Sequence, residues 1–171
     1  MATSRSAAGP TPRFIARVFR VGLVGAGLLP WLLPVLRAWL PLGDFGVSLD
    51  AAFLTLCHRI PERTLTLGGV AMPVCSRCAG IFLGVALGAL LARPRLSAER
   101  WRQAIFAAAG LMLLEVALQD LGLHPAWHVT RLLSGLMFGY AAAVACVTAL
   151  EREAREASAS SASAPASTPT R

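Results

Sequence analysis

Four stretches of this chain, residues 18–40, 73–92, 103–121 and 131–150, are almost wholly apolar and close to 20 residues long. A helix of about 20 residues crosses the roughly 30 Å of hydrocarbon in a bilayer. Inside lipid every backbone N–H and C=O must be satisfied by the chain itself, so runs of this length read as helices. The whole chain agrees: of 171 residues, 56% are hydrophobic and 15% charged, too apolar for a soluble domain of this size. The expected fold is all-α, an integral membrane bundle of about four transmembrane helices with a short amphipathic outer helix.

The first span carries Pro30, Pro34 and Arg37, so it is expected to kink or slant. A signal peptide is the rival for this stretch, but no small-x-small cleavage pattern follows before Arg37 and Trp39, and a retained helix is expected.

All sixteen basic residues are arginine. Together with the high alanine and leucine content, this resembles the coding habit of a GC-rich bacterium. The formal charge of +7 would raise nucleic-acid binding for a soluble protein, but arginines beside apolar segments orient helices instead, and no nucleic-acid partner is expected. Arg5, Arg13, Arg17 and Arg20 precede the first span, Arg93, Arg95, Arg100 and Arg102 fill the second connection, and Arg152 and Arg155 follow the last span. The positive-inside rule then puts both termini in the cytoplasm, in a multi-pass protein of the cell inner (cytoplasmic) membrane. The bilayer is the first partner this implies.

Three units follow from these boundaries: a disordered tail over 1–12, a membrane domain over 13–150, and a disordered Ser/Ala/Pro-rich tail over 151–171. On the outer side lies a longer connection, residues 41–72. In "VSLDAAFLTLCHR" Leu49, Ala52, Phe53, Leu56 and Cys57 share a helical face. "RTLTLGGVAMP" alternates around Gly68 and Gly69, as a short hairpin would.

That connection ends in the chemistry. "CHRIPERTLTLGGVAMPVCSRCAG" holds Cys57, His58, Cys75 and Cys78, a C-H-x16-C-x2-C pattern. Cys75 and Cys78 share a face at a helix start. Three readings use these atoms. Three thiolates and an imidazole form a tetrahedral set for zinc or another transition metal. A CxxC near a helix N-terminus and beside Arg77 suits thiol–disulfide exchange by Cys75 and Cys78, with Cys57 passing the bond on. A disulfide between two of them would staple the connection of a structural helper subunit. No nucleophile, base and orienter stand at a convincing spacing for hydrolysis, so the reading leans away from an enzyme. Cys146 reads as a small buried apolar residue. His124 and His128, four apart, are weaker ligand candidates.

Charges within spans form the second signal. Arg77, Glu115, Asp120 and Arg131 all fall near one leaflet and are expected to pair as a polar shell beneath the thiols. Gly80, Gly84 and Gly88, and Arg131, Gly135 and Gly139, make small-residue stripes for close helix contact, within the chain or with a membrane protein partner.

"CHRIPERT", "PVCSRCAGIFLG" and "LLEVALQDLGLHPAWHVTRLLSGLMFG" resemble a prokaryotic membrane-protein family catalogued only as a domain of unknown function, DUF2085, over about residues 49–140. The matching positions are Cys57, His58, Pro61, Arg63, Pro73, Cys75, Arg77, Cys78, Gly80, Gly84, Arg131 and Gly135. Thr64, Ser134 and Glu115 stand where the family's pattern has Ser, Thr and Asp. The resemblance implies no activity, but it does imply that the Cys-His and Cys-x-Arg-Cys blocks belong to one unit.

Overall fold

The computed structural model describes residues 11–40, 43–92, 97–123, 125 and 127–163. Arg5, Arg93, Arg95, His124, the first ten residues and the last eight lie outside them. Five helices and one hairpin follow in order: α1 (Pro12–Trp39), α2 (Gly43–Leu54), β1 (Thr64–Leu67), β2 (Val70–Cys75), α3 (Ser76–Leu91), α4 (Ala98–Asp120) and α5 (His128–Ser163). The fold is mostly helical, with α1, α4 and α5 long and apolar enough to cross a membrane. At 16 residues α3 falls short of that length. The expected span over 73–92 starts three residues late because Pro73, Val74 and Cys75 belong to β2.

Helix α1 starts with Pro12 at its first position, where a missing N–H costs nothing. It runs unbroken through Pro30 and Pro34, both buried against the rest of the protein. Its Arg37 does not simply mark a membrane exit. The guanidinium donates to Asp50 Oδ2 at 2.7 Å and to the Gly46 carbonyl, which ties α2 to the end of α1. Helix α2 buries Phe53, whose ring meets Phe82 edge-on with centroids 5.9 Å apart. It ends at Leu54, where the Cys57 N–H still reaches back to the Phe53 carbonyl at 2.9 Å.

The expected hairpin is present. Gly68 and Gly69 have φ of 59° and 79°, the left-handed pair that a two-residue turn matching strand twist requires. Strands β1 and β2 pair antiparallel with an irregularity between Thr64 and Thr66. Met72 and Val74 point into a core with Leu33, Phe53, Cys57 and Ala79.

The glycine stripes face one another within this chain. A Cβ on Gly80 would overlap the Leu132 carbonyl, one on Gly84 the Leu136 carbonyl, and one on Gly88 would come to 2.6 Å from the Tyr140 oxygen. In return, Gly135 and Gly139 lie against the Arg77 and Ile81 carbonyls. The ascending register shows that α3 and α5 run parallel with their backbones in contact. Helix α1 runs antiparallel to α3, with Gly27 against Phe82 and Ala86 and Trp31 Nε1 donating to the Ala79 carbonyl at 3.0 Å. These stripes are therefore used up internally; Gly22, Gly25 and Gly110 keep open space around them.

Helix α4 opens on Ser97, whose Oγ accepts from the Arg100 N–H at 3.4 Å. It closes on Gly122 at φ 71°, with Leu123 N–H to Leu118 O at 2.9 Å and Gly122 N–H to Gln119 O at 3.1 Å. That pair of bonds is the Schellman closure of a helix. Its outward side chains Phe106, Leu113 and Leu114 are exposed, as on a surface solvated by lipid.

Helix α5 does not stop near Leu150. It continues to Ser163, so the irregular tail expected from 151 is helical that far. "EREAREASA" is rich in helix formers, and Glu151 accepts an ion pair from Arg155 one turn on at 3.9 Å and from Arg20 of α1 at 3.2 Å. Arg20 also donates to the Ala89 carbonyl at 2.6 Å and the Leu90 carbonyl at 2.8 Å, satisfying groups that the end of α3 leaves free.

Gly84→Val should force α3 from α5 and cost about 1–3 kcal/mol by overpacking. Gly110→Ala, which meets nothing, should be neutral or stabilising by up to about 1 kcal/mol. Far-UV circular dichroism melts in detergent will separate the two.

Candidate metal and thiol site

Three segments meet at the N-terminus of α3. Cys57 follows the last turn of α2, Cys75 ends β2 and forms the N-cap of α3, and Cys78 lies in that helix's first turn. The cap residue is extended, with φ −69° and ψ 164°, and its side chain makes no capping hydrogen bond. The sulfurs of Cys57, Cys75 and Cys78 all lie within 4.8 Å of one another. All are free thiols.

Cys57 is buried at 7% exposure, and its sulfur accepts the Cys75 backbone N–H at 3.2 Å. Cys75 is half-buried. The Cys78 thiol donating to it is the main reason its own thiol sits at about 4, well under the ordinary 9.0. Burial works the other way, and the backbone N–H groups of Cys78 and Arg77 at the helix start add to the lowering.

His58 is not within the sulfur group. Its side chain is exposed, although it lines the same cleft as the three cysteines. The residue after it, Arg59, takes a left-handed φ of 47°, which costs a non-glycine residue about 1–2 kcal/mol. Its guanidinium meets Asp50 Oδ1 at 3.4 Å.

Beneath the thiols lies a polar network. Arg77 Nη2 is 3.3 Å from Glu115 Oε2. The other Glu115 oxygen accepts from Gln119 Nε2 at 2.9 Å, and Gln119 Oε1 accepts from Arg131 Nη1 at 2.9 Å. Ser134 Oγ donates to Glu115 Oε2 at 2.5 Å. Arg77, Glu115 and Arg131 are thus joined, but through Gln119 and Ser134, which carry no formal charge and gave no signal as ions. Asp120, exposed at the last position of α4, stands outside this network. Its neighbour Gln119 holds the place expected of it, because a carboxylate one position on is turned about 100° round the helix.

Asp50, Arg59 and Arg63 are the residues that sequence reasoning did not assign to the site. Their signal was available: two arginines and a carboxylate lie close to Cys57 within the one outer connection. Cys146 is exposed on α5, away from the seam with α3, and not buried as expected. His128 begins α5 with a buried Nδ1 that has no hydrogen-bond partner among the described residues.

The model of the family described as "Predicted membrane protein (DUF2085)" matches residues 57–145. That range takes in the three clustered cysteines, the hairpin, α3, α4 and much of α5. An uncharacterized protein of the archaeon Methanothermobacter thermautotrophicus is 59% identical over 32 residues, 19% of this chain and 29% of that one. An uncharacterized protein of Methanocaldococcus jannaschii is 28% identical over 101 residues, 55% of this chain and 63% of that one. The chain thus spans less than two thirds of the length of either relative. No solved structure matches.

Glu115→Ala should leave Arg77 with an uncompensated, largely buried charge and cost up to about 3 kcal/mol. The double variant Arg77→Met, Glu115→Met should recover most of that loss, measured by unfolding in mixed detergent micelles.

Proposed function

The chain belongs to the DUF2085 family of predicted membrane proteins, and from that premise we propose that it is a multi-pass protein whose Cys57, Cys75 and Cys78 hold a thiophilic metal ion, zinc or another transition metal, at the outer end of a four-span bundle. The observation that carries the reading is the approach of three free sulfurs to within 4.8 Å. Zinc–sulfur bonds of about 2.3 Å set tetrahedral sulfurs about 3.8 Å apart, so closing on an ion asks for shifts of an ångström or less. His58, on the wall of the same cleft, would swing in as the fourth ligand, with Arg77, Glu115 and Arg131, joined through Gln119 and Ser134, as the surrounding polar shell.

The fourth span in this reading is α3, short but sandwiched between α1 and α5, with its polar start made up by the hairpin. The alternating directions of α1, α3, α4 and α5 support N-terminal and C-terminal ends on one side, and Arg13, Arg17, Arg20, Arg100, Arg102, Arg152 and Arg155 favour the cytoplasmic side of the inner membrane. Residues 13–150 would then form one membrane domain with the helical continuation of α5 beyond it.

The low thiol of Cys75 favours one alternative, thiol–disulfide exchange. There the Cys75 thiolate would attack a partner's disulfide and Cys78 would resolve the mixed disulfide, oxidising this pair and reducing the partner by two electrons.

Detergent-purified protein should carry about one equivalent of metal by elemental analysis. Cys57→Ser, Cys75→Ser and Cys78→Ser should each remove most of it, while Cys146→Ser should not. Metal-free protein with a Cys75–Cys78 pair that cycles between oxidised and reduced forms would select the exchange reading instead.

A further inference from the structure

The same end of the bundle holds a cleft of about 230 Å³ lined by four arginines, Arg59, Arg63, Arg77 and Arg131, and, among the described residues, by no Asp or Glu. Two of these charges are answered from behind: Arg59 by Asp50 at 3.4 Å and Arg77 by Glu115 at 3.3 Å. Asp50 is moreover shared with Arg37. Arg131 meets only the neutral Gln119 amide, and no bond or ion pair holds the Arg63 side chain among the described residues. A thiolate on Cys75 offsets one more charge and still leaves the cleft net positive.

Arg131 makes the site a demanding one. It is 3% exposed, lines the cleft, and keeps a buried Nε with no hydrogen-bond partner among the described residues. Arg77 also has an unpartnered buried Nε, and its Nη2 meets Glu115 as an ion pair without forming a hydrogen bond. Unsatisfied buried donors on charged groups are costly. A planar fork of N–H donors fits one class of partner above others, the oxygens of a phosphate group.

We propose that this cleft is an anion site that binds a phosphate group, with Arg63 and Arg131 as its principal donors and Arg77 and Arg59 completing the ring. The proposal rests on the arginines and holds with or without a metal on the thiols. The phosphate could be that of a free anion or of a lipid headgroup, since the cleft lies where the apolar faces of α4 and α5 end; the chemistry recognised is the same.

The test uses the full chain in neutral detergent, in metal-loaded and metal-stripped preparations alike. Binding of inorganic phosphate, of dioctanoyl phosphatidic acid and of dioctanoylglycerol is measured by calorimetry at constant ionic strength. Phosphate and phosphatidic acid should both saturate, dioctanoylglycerol should not, and Arg63→Gln should weaken both ligands about tenfold. Arg100→Gln, at the far end of α4, should leave them unchanged. Arg131→Gln should abolish binding; because Arg131 is buried, Arg63→Gln serves as the variant that spares the fold. Saturation by phosphatidic acid alone, still lost in Arg63→Gln, supports the site with lipid as its source. Binding of neither phosphate compound, binding equal in Arg63→Gln and Arg100→Gln, or equal binding of dioctanoylglycerol and phosphatidic acid overturns the proposal.

Discussion

The contact on which the thiol end depends is the bare backbone seam between α3 and α5. Lipid offers little hydrophobic drive to push two apolar helices together, so helices in a membrane associate through close packing and polar contacts. Glycine at positions 80, 84, 88, 135 and 139 lets the two backbones touch. Because the seam is parallel, it sets the start of α3 beside the start of α5. Arg77 and Cys78 thereby stand next to Arg131. Helix α4 returns antiparallel to α5 and brings the Glu115 carboxylate and the Gln119 amide to the same level, where one hydrogen-bonded chain runs from Ser134 through Glu115 and Gln119 to Arg131.

The connection between α1 and α3 completes the site by a different route. Arg37 fastens α2, Asp50 fastens Arg37 and Arg59, and the strained turn at Arg59 then delivers Cys57 under the Cys75 backbone N–H. The hairpin brings Cys75 back to the helix start through a turn that two consecutive glycines make cheap. Three segments with no regular structure in common therefore converge on one point. A left-handed Arg59 next to the Cys-His pair is strain at the place where chemistry is expected.

The long apolar runs, the hairpin and the small-residue stripes were legible because each rests on a local pattern: length, alternation and four-residue spacing. What stayed hidden depends on geometry across the fold. No periodicity distinguishes Gln119 from Asp120 as the partner of Arg131, since only the turn of α4 against α5 decides it. His58 sits beside Cys57 in the chain, yet adjacent side chains point apart, and the left-handed residue that follows leaves it on the rim. The start of α3 was read three residues early because "MPVC" is as apolar as the helix it precedes. The resemblance drawn from short motifs had flagged Glu115 and Ser134 as departures, and these two side chains turn out to share a single 2.5 Å hydrogen bond.

Burial at the thiol cluster bears on what the sulfurs can do. A thiol that relays a disulfide must be reached by the sulfur of another protein in line with the bond it breaks. Cys57, at 7% exposure, lies beneath Cys75 and spends a lone pair on that residue's N–H, which suits a ligand and obstructs a shuttle. Cys75 and Cys78 are more open, so exchange chemistry could run on those two without help from Cys57. Of the metal and exchange readings, the third sulfur therefore has a role in the first, where it completes a soft donor set. A net-positive wall beside it favours the thiolates such a set requires. The same wall would draw an anion toward the open coordination side, so the two proposed occupants of this end of the bundle, a soft cation and a phosphate, would lie within reach of each other.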